Sequence, residues 1–136
     1  MTMMTDKNIL LVGYRANRDE PGPPFEGSAS GKMLDKFIPL WRDHAVVNLY
    51  THRLDETPAV PKFDEAFDAS KPSLVVMFGR SVEKELVGNK KHTMLETFEF
   101  RGVRAIVVPH PSPRNRVWND KTMFDKTKTA IEGAAL

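Results

Sequence analysis

The chain contains no cysteine among its 136 residues. This absence excludes disulfide bonds, thiolate zinc sites, cysteine nucleophiles and iron-sulfur clusters held by cysteine. Long apolar runs are also missing, since none approaches the roughly 20 residues that cross a bilayer. The first eight residues lack the basic start and apolar core of a secretory signal. We therefore expect a cytoplasmic protein that does not associate with membranes.

Net charge is nearly absent as well, because 20 basic and 18 acidic side chains leave only +2. Such a balance gives no general attraction to nucleic acid, so any case for it depends on where the charge lies. Between Arg101 and Arg116 there are four arginines and no acidic residue. We expect these arginines to form a basic patch.

Four short apolar runs, rich in valine, isoleucine and leucine, indicate strands that are buried on both faces of a sheet. They cover residues 8–13, 45–50, 73–79 and 103–110. Helical patterns cover residues 31–43, where Pro39 bends or shortens the helix, then 64–70 and 81–87, and a last helix begins near Asn119. This alternation predicts an α/β fold, a three-layer α/β/α sandwich with a mostly parallel four-stranded sheet. The length is typical of one domain, residues 1–136.

The carboxyl ends of the predicted strands gather the unusual residues of the chain. Ligands of open α/β sheets bind beyond these ends. The first strand leads into a proline- and glycine-rich loop over residues 17–30, and such long ordered loops are often functional. Asn48 interrupts the second apolar run, and the fourth run ends at His110 in the sequence HPSP. The two prolines restrict the backbone directions of His110 and Ser112.

Several of these residues suit contacts with nucleic acid. Arg114 and Arg116, on either side of Asn115, have planar donors that match phosphate groups. The amide of Asn48 can pair with the edge of a base, and Phe25 can stack on one. Each also has a structural reading: a solvated basic turn, an asparagine paired with backbone, and an apolar anchor for the loop.

Two other kinds of site are excluded by their patterns. Residues 27–32 have one residue too few between their glycines for a nucleotide phosphate loop, and Met33 replaces the hydroxyl residue that binds magnesium. No pair of histidines has the spacing of a metal site, so we expect none. The histidines are His44, His52, His92 and His110.

Taken together, these residues resemble the uracil-DNA glycosylase superfamily, in particular its bacterial and archaeal branch that usually carries an iron-sulfur cluster. Matching segments follow in the same order over most of the chain. They are a strand ending at Gly13, then residues 24–27, 30–34, 48–53 and 78–80, and the HPSP sequence at 110–113.

The resemblance implies roles for named residues. Phe25 resembles the aromatic residue that stacks on the flipped base, Asn48 resembles the asparagine that reads the pyrimidine edge, and Tyr14 joins the base contacts. His110 resembles the histidine that stabilises the negative charge of the departing base. Ser112 and residues 114–116 correspond to the loop that grips DNA, which the family needs because a paired base must be extruded.

Two departures from the family pattern bear on activity. The family places an acid or amide soon after its first glycine, whereas this chain has Tyr14 and Arg15 there. The nearest acids are Asp19 and Glu20, which are the candidate catalytic carboxylates. His52 stands where a cluster cysteine is often found, so we expect no cofactor.

Three hypotheses follow. The first is a monomeric DNA glycosylase that recognises a flipped pyrimidine base and hydrolyses its glycosidic bond. The second is a superfamily member that binds DNA, a base or a nucleotide without cutting, because the usual acid is missing. The third is a Rossmann-like or flavodoxin-like module that binds a small phosphorylated ligand or a protein.

Overall fold

The computed structural model describes residues 8–15, 29–39, 41–50, 60–112 and 115–135. This part of the chain contains nine main elements, with short 3-10 helices at Trp41–Asp43 and Arg116–Asn119. In chain order they are β1 (Ile9–Arg15), α1 (Ala29–Phe37), β2 (Ala45–Tyr50), α2 (Val60–Ser70), β3 (Leu74–Phe78), α3 (Arg80–Val87), β4 (Thr97–Phe100), β5 (Val103–Val108) and α4 (Thr122–Ala135).

The strands form one sheet in the order β2-β1-β3-β5-β4. All neighbours pair in parallel except β4, which is antiparallel to β5. The predicted α/β class with a mostly parallel sheet is confirmed, with five strands in place of four. Among the described helices, none is long and apolar enough to cross a membrane.

Two apolar cores cover the two faces of the sheet, which accounts for the three layers. The first core lies between the sheet and helices α1 and α4, and it includes Leu11, Phe37 and Ile131. The second lies between the sheet and helices α2 and α3, and it includes Leu10 and Phe63. Because β3 is covered on both sides, all five of its residues are buried, and its sequence is apolar throughout.

The observed ends of three helices differ from the predicted ones by two residues or more. Helix α2 begins at Val60, four residues before the predicted start. Helix α1 begins at Ala29, so the last two residues of the predicted 17–30 loop are helical, while residues 16–28 lie outside the described part. It ends at Phe37, two residues before Pro39, and a separate 3-10 helix follows. Helix α4 begins at Thr122, whose N–H donates to Oδ1 of Asp120.

The expected patch of four arginines does not form. Arg101 makes a 2.7 Å ion pair with Asp64 and lies 5.0 to 5.4 Å from three phenylalanine rings. Arg104 donates to the carbonyl of Ala134 at 3.1 Å. Both arginines lie at the amino end of β5, which places the length of a six-residue strand, about 20 Å, between them and His110. The prediction is wrong because residues close in sequence are carried apart by an extended strand.

Candidate functional site

Asn48 and His110 both lie at the carboxyl edge of the sheet, on the side of the first core. Asn48 is two residues after Val46, which packs against that core, and alternate residues of a strand share a face. His110 is two residues after Val108, which like Ile106 belongs to the first core, and its carbonyl bonds to Trp118 of that core. The structure therefore brings these two predicted site residues to one side of one edge.

The space between these two residues spans the middle of the sheet. Strands β1 and β3 separate β2 from β5, so Asn48 and the end of β5 are three strand spacings apart, about 14 Å. Gly13 of β1 pairs directly with Asn48 and has no side chain to fill the interval. No side chain of β1 therefore lies beside Asn48 at this register.

Asn48 carries an unsatisfied polar atom. The residue is 6% exposed, and its Oδ1 is buried with no hydrogen-bond partner among the described residues. A buried polar atom without a partner costs about 1–3 kcal/mol. Exchanging the amide oxygen and nitrogen leaves a buried donor there instead. A ligand that supplies the missing partner would relieve this cost.

The imidazole of His110 is neutral at pH 7. Burial lowers the pKa of His110 below its ordinary value of 6.5, because a charged ring loses its hydration there. The neutral ring carries one N–H donor and one acceptor. It can donate a hydrogen bond to a ligand without placing a positive charge in the site.

The backbone of His110 is held by three hydrogen bonds to one carbonyl oxygen. The donors are the N–H of Ser112 at 2.8 Å, Nδ2 of Asn115 at 3.1 Å and Nε1 of Trp118 at 2.9 Å. Asn115 also caps the following 3-10 helix, since its Oδ1 accepts from the N–H of Val117 at 3.3 Å. The loop after β5 is thus fixed by its own side chains.

Gly79 packs directly beneath His110. It lies between β3 and α3 with φ of +97°, a conformation that favours glycine. Its N–H donates to the carbonyl of Val108 at 2.8 Å. A methyl group at this position would lie 3.4 Å from Cβ of His110. The junction between β3 and α3 and the segment that carries His110 are therefore in contact at this glycine.

The remaining described candidates differ in position. Arg116 is exposed, and Ser112 is half-buried, next to the His110 turn. Asn115 uses both ends of its amide within the loop, so its contacts hold His110 in place. Tyr14 lies on the second-core side, with its ring edge-on to Tyr50 at 5.0 Å, and the structure does not bring it to Asn48.

Four predicted site residues lie outside the described part of the chain: Asp19, Glu20, Phe25 and Arg114. The described residues do bear on the position of the missing acid. Strand β1 continues through Arg15, which pairs with Tyr50. The two positions directly after Gly13 are therefore strand residues without a carboxylate.

Trp118 is the site residue that sequence reasoning missed. It is 6% exposed and stacks against both Phe37 and Phe124, with ring centroids 5.0 and 4.9 Å away. A buried indole N–H needs an acceptor, and here the acceptor is the carbonyl of His110. The available signal was a tryptophan within reach of the HPSP loop, just before the last helix.

No group of three or more metal-ligating side chains is assembled within the described ranges. The site is described by its hydrogen-bonding groups. These are the amide of Asn48 on β2 and the neutral ring of His110 after β5. Gly13 of β1 lies beside Asn48.

Comparison with known proteins bears on the three hypotheses. A family model described as the uracil DNA glycosylase superfamily matches residues 3–132. No curated protein gives a significant match. The family match disfavours the Rossmann-like alternative, and it indicates a DNA glycosylase-like function with DNA as the partner. On this match over nearly its whole length, the chain belongs to the uracil DNA glycosylase superfamily.

Proposed function

We propose that the protein binds a pyrimidine base flipped out of DNA between Asn48 and His110, and hydrolyses its N-glycosidic bond. One observation carries this proposal. A neutral histidine, held by three hydrogen bonds to its carbonyl, shares one side of the sheet edge with an asparagine whose amide oxygen is unpaired.

The amide of Asn48 suits the edge of a pyrimidine. A ring that presents an N–H beside a carbonyl can donate to Oδ1 and accept from Nδ2. A good bidentate contact of this kind discriminates between bases by about 1–3 kcal/mol. The contact would also supply the partner that buried Oδ1 lacks. Uracil and thymine present such an edge.

His110 suits the departing base. When the glycosidic bond breaks, negative charge develops on the base oxygen and positive character on the sugar. A fixed neutral N–H donor stabilises the base without repelling the sugar. Loss of one such donor costs about 100- to 1000-fold in rate in enzymes that depend on it.

The rest of the machinery is proposed from the family resemblance. Phe25 stacks on the flipped base, and Asp19 or Glu20 orients the attacking water. Arg114 and Arg116 contact phosphates as a monomer binds the strand. Extrusion of the base is required because its glycosidic bond is inaccessible in a paired duplex.

A second function is favoured by a specific observation. Tyr14 and Arg15 continue β1 where the family carries its acid or amide. If neither Asp19 nor Glu20 reaches the sugar, the same site would recognise a base without hydrolysing the bond. Binding and cutting therefore have to be measured separately.

The experiment uses oligonucleotides that contain uracil, hypoxanthine or a thymine mismatch, as single strands and as duplexes. We expect an abasic product from the wild type and a rate about 100- to 1000-fold lower for His110→Ala. Binding without product at high protein concentration would support the second function. Failure to bind any oligonucleotide or nucleotide would contradict both functions.

Asn48→Ala tests the base contact directly. We expect it to weaken binding of the base-containing strand by about 5- to 150-fold, the equivalent of a lost bidentate contact. It should leave the thermal unfolding midpoint nearly unchanged, because the substitution removes an unsatisfied oxygen. Unfolding of the variant, measured by circular dichroism, would instead indicate a structural role for the amide.

A further inference from the structure

A basic groove lies along α3, on the second-core side of the sheet. Its volume is about 350 Å³. Three cations line it, Arg80, Lys84 and Lys91, together with the polar residues Ser81 and Asn89. Glu83 is the one acidic residue among the described lining residues. Three cations and one carboxylate give this groove a formal charge of +2, equal to that of the whole chain.

The carboxylate of Glu83 is already committed within the fold. Its side chain is 2% exposed. One oxygen accepts from Arg80 at 2.8 Å, and the other lies 2.7 Å from the N–H of His92 and 3.0 Å from its Nδ1. The Glu83 carboxylate is therefore occupied by its bonds to Arg80 and His92. The charge that the groove presents to solvent is that of the exposed Lys84 and Lys91.

The guanidinium of Arg80 is held in one position. It bonds to Glu83 and to the carbonyl of His92, and the ring of His92 stacks on Phe98 with centroids 3.7 Å apart. The side chain is nevertheless 41% exposed. An arginine fixed in this way loses little entropy when its remaining donors meet a phosphate.

The groove begins at the same edge of the sheet as the candidate site, although on the opposite face. Its lining residues Arg80 and Ser81 directly follow Gly79, the residue in contact with His110. Helix α3 then runs away from that edge for eight residues, about 12 Å. This length equals about three to four nucleotide steps at the 3.4 Å spacing of a strand. A strand held at His110 that bends over the edge at Gly79 onto the second-core side would therefore run along the groove toward Lys84 and Lys91.

We propose that this groove binds phosphates of the DNA strand that carries the flipped base, three to four nucleotides from that base. The proposal rests on the proposed function, because the strand has to enter at His110. Two exposed lysines and one fixed arginine correspond to about two phosphate contacts beyond those near the base.

The test compares two double variants of the full chain. Lys84→Gln/Lys91→Gln removes two charges from the groove, and Lys71→Asn/Lys128→Gln removes two exposed charges elsewhere. Asparagine suits position 71 because Lys71 has φ of +46°. Binding of an undamaged 20-nucleotide strand and duplex is measured by fluorescence anisotropy between 50 and 200 mM salt.

We expect the groove variant to reduce the slope of log affinity against log salt by about 1.4 to 1.8, because each of the two phosphate contacts contributes about 0.7 to 0.9. The control variant should leave the slope unchanged. If the wild type binds DNA and the groove variant keeps its full slope, the groove proposal fails while the proposed function stands. If the wild type binds no DNA, the proposed function fails, and the groove proposal fails with it.

Two further arms identify the source of the phosphate. Uracil-containing strands are shortened to two nucleotides on either side of the base, and the groove substitutions should then have no effect on binding. An equal loss on the short strands would overturn the proposal. Inorganic phosphate or free dUMP that binds the wild type as tightly as the 20-nucleotide strand, and is lost in the groove variant, would overturn it in favour of a small phosphorylated ligand.

Discussion

At the scale of single residues, the site joins an unsatisfied amide to a ring kept neutral by burial. The first feature costs stability in the free protein, and the second does so only in acid. Asn48 holds a buried oxygen without a partner in the described structure, and the low pKa of His110 makes the folded state resist protonation. A pyrimidine that pairs with both groups uses polarity that the fold itself leaves unused.

The lowered pKa of His110 predicts how stability depends on pH. The unfolded chain takes up a proton near pH 6.5, whereas the folded chain does so only at lower pH. The free energy of unfolding should therefore be highest above pH 6.5 and fall as the pH drops below it. Urea unfolding between pH 5 and 7.5 measures this dependence.

His44 needs a control in this experiment. Burial also lowers the pKa of His44, although Asp43 opposes the shift. We expect His110→Asn to remove part of the acid-induced loss and His44→Asn another part. An imidazole signal of His110 that titrates at or above pH 6.5 by nuclear magnetic resonance would contradict the prediction.

The sequence pointed to Asn48 and His110 of the candidate site but not to the residue that holds the His110 backbone. Asn48 and His110 follow from two rules, that polar residues are unusual in buried strands and that ligands bind at carboxyl edges. Trp118 was missed because its role depends on which acceptor a buried indole meets. Tyr14 was assigned to the base from the family resemblance alone, whereas β1 continues to Arg15 and Tyr14 packs on the second-core side.

At the scale of elements, the junction between β3 and α3 sets the position of the histidine. Gly79→Ala adds a methyl group at φ of +97°, 3.4 Å from Cβ of His110. We expect a loss of about 1–3 kcal/mol in the free energy of unfolding from backbone strain. We expect the rate of base release to fall further than this loss explains, because relief of the strain shifts the Gly79 backbone, whose N–H bonds to Val108 two residues before His110. Urea unfolding and single-turnover kinetics measure the two effects.

Gly102→Ala is the matched control for this substitution. Gly102 has φ of +80°, and a methyl group there would have no neighbour within 4 Å. It should lose stability through strain while its single-turnover rate stays that of the wild type. Equal rate losses in both variants would show that strain alone, and not contact with His110, slows the reaction.

The three hydrogen bonds to the His110 carbonyl give a second prediction at this scale. Trp118→Phe keeps an aromatic ring packed against Phe37 and Phe124 but removes the donor to His110. We expect a loss of about 0.5–3 kcal/mol in stability together with a slower single-turnover reaction. Urea unfolding and the same kinetic assay test it.

Trp41→Phe removes a comparable buried indole far from the site. Its Nε1 donates to Asp35 at 2.8 Å, and the residue is 2% exposed. This variant should lose a similar stability and keep its rate. If Trp118→Phe also keeps the wild-type rate, the indole hydrogen bond does not position His110.

The elements themselves were largely predictable, with one instructive exception. Strands buried on both faces have apolar runs, and β1, β2, β3 and β5 were found in this way. Strand β4 has one exposed side, and its sequence Thr97–Phe100 alternates polar with aromatic residues. An alternation over only four residues is a weaker signal than the apolar run of β5 that follows it, although threonine and phenylalanine favour strands.

At the scale of the whole molecule, some basic side chains make contacts within the fold and others remain on the surface. Arg101 and Arg104 hold the amino end of β5 against α2 and α4, so they are not available to DNA. The groove beside α3 gathers cations that lie apart in sequence. The net charge of the chain therefore understates the local field along α3, and sequence order misplaces it.

The sheet contains a single antiparallel pair among the described strands, and it has consequences for how the molecule folds. Strands β4 and β5 are joined by two residues, Arg101 and Gly102, both with positive φ, as a tight hairpin turn requires. Every parallel pair instead needs a long crossover, whose closure costs more entropy. Hairpins of this kind form in about 1–10 μs.

We therefore expect β5, the strand that leads to His110, to gain protection before β2, the strand that carries Asn48. Pulse-labelled hydrogen exchange during refolding should show amides of β4 and β5 protected ahead of those of β1 and β2. Simultaneous protection would contradict this order. On this order, the group proposed to stabilise the departing base is in place early, and the proposed base contact is completed only when β2 joins the sheet.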